Sequence, residues 1–423
     1  MKNHEILTRV GPGTPMGELM RQYWIPAAIS TEVTADGEPL RLKLLGEELI
    51  AFRDSSGRVG IMDHRCPHRC ASLFFGRNEN DGLRCVYHGW KFDVEGKCVD
   101  APNLPNDQTV RNKVKAKAYK VQERAGLIWV YMGKREVAPP MPDLAALDLP
   151  DDKRSVWCVQ RQSNYLQALE GDIDNSHLSF LHFGLAQIDD LAVTHKAPEY
   201  KVADTEVGVI YGAFRTLDDD QTNWRYANFS LPFWTQPPPV PLGRDPVARA
   251  FVPMDDTHTM FFSISSQSFI LSNRPNEDKD MVGVVGLTFD YQFLENTTDW
   301  YGRWRLKSNR TNDYFIDRKV QRDESYSGIE GLEIQDIAIT ESMGPITDHE
   351  WEHLAPSDIM VARTRRRLLR AAIDLRDNGT TPPGVDEPAA YGKLWGGFTM
   401  AEKGADWLDV YNEITTKKKE IAA

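Results

Sequence analysis

No run of eighteen or more apolar residues occurs in this 423-residue chain, so no segment reads as a membrane-spanning helix. Its most apolar stretches, Ala125–Met132 and Met281–Leu287, have the length of strands. Cysteine is scarce, at five residues, which excludes a small disulfide-stapled fold and fits a reducing, cytoplasmic setting. The opening stretch MKNHEILTRVGPGTP has no apolar core of the kind a secretory signal needs. Positive charge is in deficit, with a net charge of −12, which argues against a nucleic-acid-binding surface. The one basic run, Arg363–Arg370, reads as a solvated helix face or a subunit contact. No glycine-rich dinucleotide fingerprint follows a strand, so the chain is not expected to bind NADH itself. Internal repeats and low-complexity tracts are missing too. The remainder is ordinary globular text, 41% hydrophobic and 26% charged, of a length that suits two or three domains.

Two short stretches stand out from it: Cys66-Pro67-His68-Arg69 and Cys85-Val86-Tyr87-His88-Gly89-Trp90. Each carries one cysteine and one histidine. Two thiolates and two imidazoles from two loops are the ligand set of a Rieske [2Fe–2S] centre, where the cysteines hold one iron and the histidines the other. The same four residue types also build structural zinc sites. Zinc ribbons tend to pair two cysteines on each loop, whereas here each loop mixes the two types. Pro67 stiffens the first loop, Gly89 allows a close backbone approach, and Tyr87 offers a hydroxyl toward a cluster sulfur. The text CPHR…CVYHGW closely resembles Rieske cluster loops. The respiratory type of Rieske protein has an extra cysteine in each loop. Here Cys70 has no counterpart at Val86 or Tyr87, so no disulfide is expected and Cys70, Cys98 and Cys158 are left unpaired.

Around these loops the text is that of short strands: Leu42–Leu45, Leu49–Arg53, Val59–Asp63, Gly82–Val86, Lys91–Asp93 and Leu127–Tyr131, with turns at Ser55-Ser56-Gly57, Asn80-Asp81-Gly82 and Glu95-Gly96. Thr14 and Pro15 start a helix expected to run to Pro26. Val137–Pro142 is the clearest linker. Beyond it, helical text (Ser163–Leu181) precedes strands (Tyr200–Phe293, broken by Pro232–Pro241) and further helices (Thr298–Ile346 and Ser357–Asn378). That order predicts an α+β fold with an antiparallel sheet. The expected division is a helical lead-in over 1–35, an all-β [2Fe–2S] domain over 36–140 and a catalytic domain over 141–423.

The helical stretch contains His177 and His182. On a regular α-helix, residues five apart point about 140° from one another. A widened turn, or a helix ending near Gly184, is needed for the imidazoles to converge. Two histidines and a carboxylate with open positions form the ligand set of a mononuclear non-haem Fe(II) oxygenase. Beside a one-electron store, such an acceptor makes chemical sense. Read alone, the pair is also compatible with ordinary polar residues at a helix end. For the carboxylate, Leu332, Asp336, Ile339 and Met343 fall on one helical stripe, where an ionised Asp is costly unless paired or metal-bound. Glu333 and Glu341 lie off that stripe, and Asp336 is the expected ligand. A structural hydrogen-bond acceptor is its other reading.

Asp174-x2-His177-x4-His182 resembles the corresponding segment of the Rieske non-haem iron oxygenases. GPGTPMGELMRQYW, MDHRCPHRCASLFFGR, RCVYHGWKFDVEGKC, AYKVQERAGLIWVYMG and ESMGPITDHEWEHL carry the likeness over almost the whole chain, closest to the phthalate dioxygenase branch. The resemblance implies a helix-grip catalytic domain, a Rieske cluster on Cys66, His68, Cys85 and His88, and Fe(II) on His177, His182 and Asp336. It gives Asp174 the role of bridging the two centres by hydrogen bonds, while Glu170 and Asp172 have a simple capping reading. It also implies homotrimers or stacked trimers, with the cluster of one subunit serving its neighbour's iron, and a separate flavin and [2Fe–2S] reductase. The implied reaction uses O2 on an aromatic carboxylate, by cis-dihydroxylation or, alternatively, by O-demethylation of a methoxylated acid. A stand-alone electron carrier is the alternative from another class. Arg215, Arg225, Arg244 and Arg249 are candidates for the substrate carboxylate, each expected at the surface more than in a pocket.

Overall fold

The computed structural model describes residues 2–104, 108–183, 196–217, 220–267 and 291–422. Gly184 and the apolar stretch Met281–Leu287 lie outside them. A six-stranded antiparallel sheet runs in the order Trp24–Ile29, Leu127–Tyr131, Ala118–Arg124, Val59–Asp63, Glu47–Arg53 and Leu40–Leu44. Beside it a small sheet pairs Arg77–Asn78, Leu83–Arg84, Lys91–Phe92 and Cys98–Asp100. The helix that begins at Pro15, capped by the Thr14 hydroxyl, stops at Met20 and does not reach Pro26. Trp24–Ile29 pairs instead with Leu127–Tyr131, because Trp24 and Ile25 fill the apolar core beneath that strand.

The second sheet has eight strands. Its path is Arg154–Arg161, Thr259–Ser266, Val247–Pro253, Trp234–Gln236, Gln221–Ser230, Gly208–Thr216 and Glu199–Asp204, with Gly397–Glu402 joined to Gln221–Ser230. The pairings between these strands are antiparallel. The register places Tyr211, Ala213 and Arg215 on one face with their partners Ala227, Arg225 and Asn223. Thr235, Arg249 and Ser263 continue that face by direct pairing. The helix Tyr165–Ile173 covers it, since Asp172 reaches both Thr235 and Arg249. Trp224 and Tyr226 point the other way and pack on Trp407 and Tyr411. Trp129 of the first sheet stacks on Trp234 of the second, 5.8 Å between ring centroids, so the two sheets share one apolar core.

The helical text of Thr298–Ile346 is largely irregular. It contains only short helices at Arg318–Asp323 and Leu332–Ser342, besides a kinked turn in which Asp313, Tyr314 and Phe315 all have positive φ. Ile359–Asn378 is a long helix closed by Gly379 in the left-handed region. The basic run on it is less solvated than expected. Arg363 meets Asp204, Arg367 meets the Thr205 and Glu206 carbonyls, and Arg365 grips Glu170 with two nitrogens while also holding Glu352. The Glu170 side chain is 10% exposed, and burial raises its pKa even with Arg365 opposing the rise. Arg365→Met leaves that carboxylate buried without its partner and should destabilise the fold by about 3–5 kcal/mol. Urea unfolding of Arg365→Met against the double variant Arg365→Met/Glu170→Met checks this: the double variant should recover most of the loss.

Candidate metal centres

The two Cys/His loops share one construction. The Cys66 amide donates to Ala71 and the Cys85 amide to Trp90, each 2.8 Å. The Cys70 amide returns to the Cys66 carbonyl and the Gly89 amide to the Cys85 carbonyl. Each loop therefore reverses on its fifth residue, Cys70 (φ 59°) in one and Gly89 (φ 77°) in the other. A Cβ at Gly89 would lie 2.7 Å from Pro102, so the glycine serves the turn and this packing. The loops bring Cys66 and Cys85 together in the interior, 1% and 3% exposed. Burial, with Cys85 alongside, pushes the Cys66 thiol up to about 11. Nearer the surface His68 and His88 face one another, with ring centroids 4.5 Å apart, and His68 lies flat on Trp90. The hydroxyl of Tyr87 accepts from Arg69, 3.4 Å away. His88 Nδ1 is buried with no hydrogen-bond partner among the described residues. An orphaned ring nitrogen, two adjacent buried thiols and a second imidazole are what a two-iron cluster would complete.

The second centre forms where the helix Tyr165–Ile173 ends. Asp174 leaves the helical region (ψ 124°) and the chain re-enters a 3₁₀ turn at His177–Ser179. This break, earlier than expected, removes the 140° divergence of a continuous helix. The Nε2 atoms of His177 and His182 come within 3.0 Å. Asp336 Oδ1, from the helix Leu332–Ser342, lies 3.2 Å from His182 Nε2 and 3.5 Å from His177 Nε2. Ligands at about 2.1 Å from an ion and at right angles are about 3.0 Å apart. These separations fit three neighbouring corners of one coordination shell, with the opposite corners open. Among the described residues this is the one cluster of three His, Cys, Asp or Glu side chains with that geometry.

Behind His177, Asp174 Oδ2 lies 3.5 Å from Nδ1. Its Oδ1 accepts from the Ser176 amide and hydroxyl, each 2.7 Å. Burial works against charge on His177, but Asp174 and Asp336 outweigh it and hold its pKa above the ordinary value. Burial likewise opposes ionisation of Asp336, and His182 and His177 overcome it, so its pKa is lowered.

Glu170 and Asp172 are not caps. They sit in the last turns of the helix, and Asp172 pairs with Arg249. Arg249 and Arg161 both reach Glu333, which is 1% exposed and one turn before Asp336. Arg161, Arg249, Asp172 and Glu333 cancel in charge. Asp336 and Asp174 then supply two negative charges to match a divalent ion. Of the four candidate arginines, only Arg244 is exposed; Arg215, Arg225 and Arg249 are buried on the helix-covered face. Arg161, Glu333 and Gln335 were not legible as site residues. For Glu333 and Gln335 the polar spacing within LEIQDIA was the available signal.

Both regions match known families. Residues 23–120 match the Rieske [2Fe-2S] domain family, and residues 130–422 match the family described as LigXa C-terminal domain like. The chain is 49% identical to the 3-chlorobenzoate-3,4-dioxygenase oxygenase subunit of Comamonas testosteroni, over 97% of this chain and 98% of the relative. It is 36% identical to the phthalate 4,5-dioxygenase oxygenase subunit of Pseudomonas putida, over 96% and 93%. Among solved structures, dicamba monooxygenase bound to dicamba superposes with a TM-score of 0.59 at 18% identity, covering 84% of this chain and 98% of that one. That likeness is one of fold.

Proposed function

This chain belongs to the Rieske non-haem iron oxygenases as an α (oxygenase) subunit, and on that premise we propose that it oxidises an aromatic carboxylate of the halobenzoate or phthalate kind. One observation carries the substrate class: 49% identity, over nearly the full length of both chains, to a protein named for 3-chlorobenzoate. The helix-covered sheet face supports it. Arg215 and Arg225 stand there with Tyr211 and Asn223, and a guanidinium offers a carboxylate two parallel N–H donors.

In this reading Cys66 and Cys85 hold one iron of the cluster and His68 and His88 the other, while His177, His182 and Asp336 hold the mononuclear ion. When bound, the cluster supplies single electrons and the ferrous ion supplies open positions for dioxygen. Asp174 orients His177 from behind and, being 25% exposed at its side chain, presents its outer edge to a neighbour's cluster histidine. Arg161, Arg249, Asp172 and Glu333 tie the Asp336 helix to the sheet and to the helix before Asp174. The electrons come from a separate flavin and [2Fe–2S] reductase, and the working form is a homotrimer or a stack of trimers. No described helix is long and apolar enough to cross a membrane, and a cytoplasmic setting is part of the proposal.

Product analysis tests the reading. The protein, a reductase, NADH and ¹⁸O2 are incubated with benzoate, 3-chlorobenzoate, phthalate and methoxybenzoates. A cis-diol carrying both labelled atoms is expected from a chloro- or dicarboxylated acid. Demethylation of a methoxybenzoate alone would move the protein to the O-demethylating alternative. Uncoupled NADH consumption with every acid would sink the aromatic-carboxylate proposal.

A further inference from the structure

We infer that Gln335 is a positioning residue that fixes His182 as the tautomer with a bare Nε2. Gln335 precedes Asp336 in sequence but meets His182 at Nδ1, where Asp336 meets it at Nε2, and is 0% exposed. One end of its amide lies 2.6 Å from His182 Nδ1. The other end lies 2.8 Å from the Ile329 carbonyl and 2.7 Å from the Ser327 hydroxyl. The orientation of a glutamine amide is settled by its partners. A backbone carbonyl only accepts, so the amide nitrogen faces Ile329 and the oxygen faces His182. An amide oxygen only accepts, so His182 Nδ1 carries the proton. His182 Nε2, the atom 3.0 Å from His177 Nε2 and 3.2 Å from Asp336 Oδ1, is then left with its lone pair toward the centre of the cluster.

The reversed amide would set oxygen against oxygen at Ile329 in a site closed to water, leaving buried polar groups unpaired. The Ser327–Ile329 segment thus dictates, through one side chain, which nitrogen of His182 binds. The two histidines are held differently: His177 is backed by the carboxylate of Asp174, and His182 by a neutral amide. A carboxylate behind an imidazole makes it a more basic ligand than an amide does. The pair is therefore unequal, with His177 the stronger donor.

This inference rests on the mononuclear-site reading, and the test separates the two. Cluster-loaded protein is stripped of its mononuclear ion and titrated with Fe(II) against a chelator, and with Co(II) by visible absorption. Failure of the unaltered protein to bind either ion would overturn the site reading itself. Given binding, Gln335→Leu should weaken Fe(II) affinity about 10- to 100-fold and leave the cluster spectrum unchanged. Ser327→Ala, which removes a contact on the far side of the amide, should keep Fe(II) affinity within about threefold of the unaltered protein. Equal losses in both variants would mean that Gln335 only props the Ser327–Ile329 segment. Gln335→Glu, with its proton on the oxygen that faces the Ile329 carbonyl, keeps both a donor there and an acceptor on Nδ1, and it carries the test if the leucine variant does not fold. It should bind Fe(II) within about threefold of the unaltered protein and shift the Co(II) bands, because a carboxylic carbonyl is a weaker acceptor than an amide oxygen. Unchanged bands would overturn the inference.

Discussion

Asp336→Ala is expected to abolish turnover while leaving the visible spectrum of the [2Fe–2S] cluster intact. Among the described residues Asp336 is the one carboxylate whose oxygen stands within 3.5 Å of both His177 Nε2 and His182 Nε2. Without it two neutral imidazoles remain, a set with neither the charge nor the third corner that retains Fe(II). The cluster ligands lie in a different domain, so iron should fall from about three to about two atoms per chain while acid-labile sulfide stays at about two. The fold should survive, because Asp336 lies at the margin of its helix's inward face and alanine is a strong helix former. The same variant tests the proposed trimer. A chain with a cluster but no mononuclear site can donate electrons, and Cys85→Ala, which has no cluster, can receive them. Subunit exchange between the two inactive proteins should restore part of the activity if electrons cross between neighbours, as one repeated heterologous interface allows. Full mononuclear iron in Asp336→Ala would remove it as a ligand. Mixed oligomers without activity would confine electron transfer to a single chain.

The cluster loops were the most legible part of the chain because their chemistry is local. Cysteine, histidine, proline and the turn residue lie within six positions, and each loop closes on itself through Cys66–Ala71 or Cys85–Trp90 hydrogen bonds. The strands around them follow from alternation and from turns such as Asn80-Asp81, both of positive φ. Asp336 was identified by an argument that the structure reverses. The stripe of Leu332, Asp336, Ile339 and Met343 is not the inward face: Ile339 is 42% and Met343 47% exposed. The inward face carries Glu333, Gln335, Ile337, Ala338, Thr340 and Glu341, and Asp336 lies at its margin. Periodicity registers polarity, and here polar residues are inside because they have partners. Those partners lie 172 positions away for Arg161–Glu333, 153 for His182–Gln335 and 195 for Glu170–Arg365. A single sequence carries no signal of such pairings. For the same reason Arg249 read as a surface arginine and Asp172 as a cap, when each is the other's buried counter-charge.

Asp174→Asn should slow turnover at least 10- to 100-fold, the range found when a group behind a metal-ligating histidine is lost, and the hydrogen bonds around it say why. In the native protein Oδ1 is committed to two donors, the Ser176 amide and hydroxyl. An asparagine must keep its oxygen there, since the Ser176 amide can only donate. Its nitrogen is then turned toward His177 Nδ1, where the native carboxylate accepts. Two donors face each other if His177 keeps its proton on Nδ1. If the proton moves, it goes to Nε2, the atom directed at Asp336 and His182. Either way His177 is misoriented or its ligand atom is blocked, so Fe(II) affinity should fall. The proposed bridging role adds a second loss that iron cannot repair. With Fe(II) supplied in excess until occupancy matches the native protein, mixing the reduced, substrate-bound variant with oxygen should still reoxidise the cluster slowly, because the negative edge proposed to face the neighbour's histidine is gone. Stopped-flow absorption of the cluster separates these losses. Reoxidation at the native rate once iron is restored, with normal coupling to product, would reduce Asp174 to a support for His177 and take away its part in the electron path.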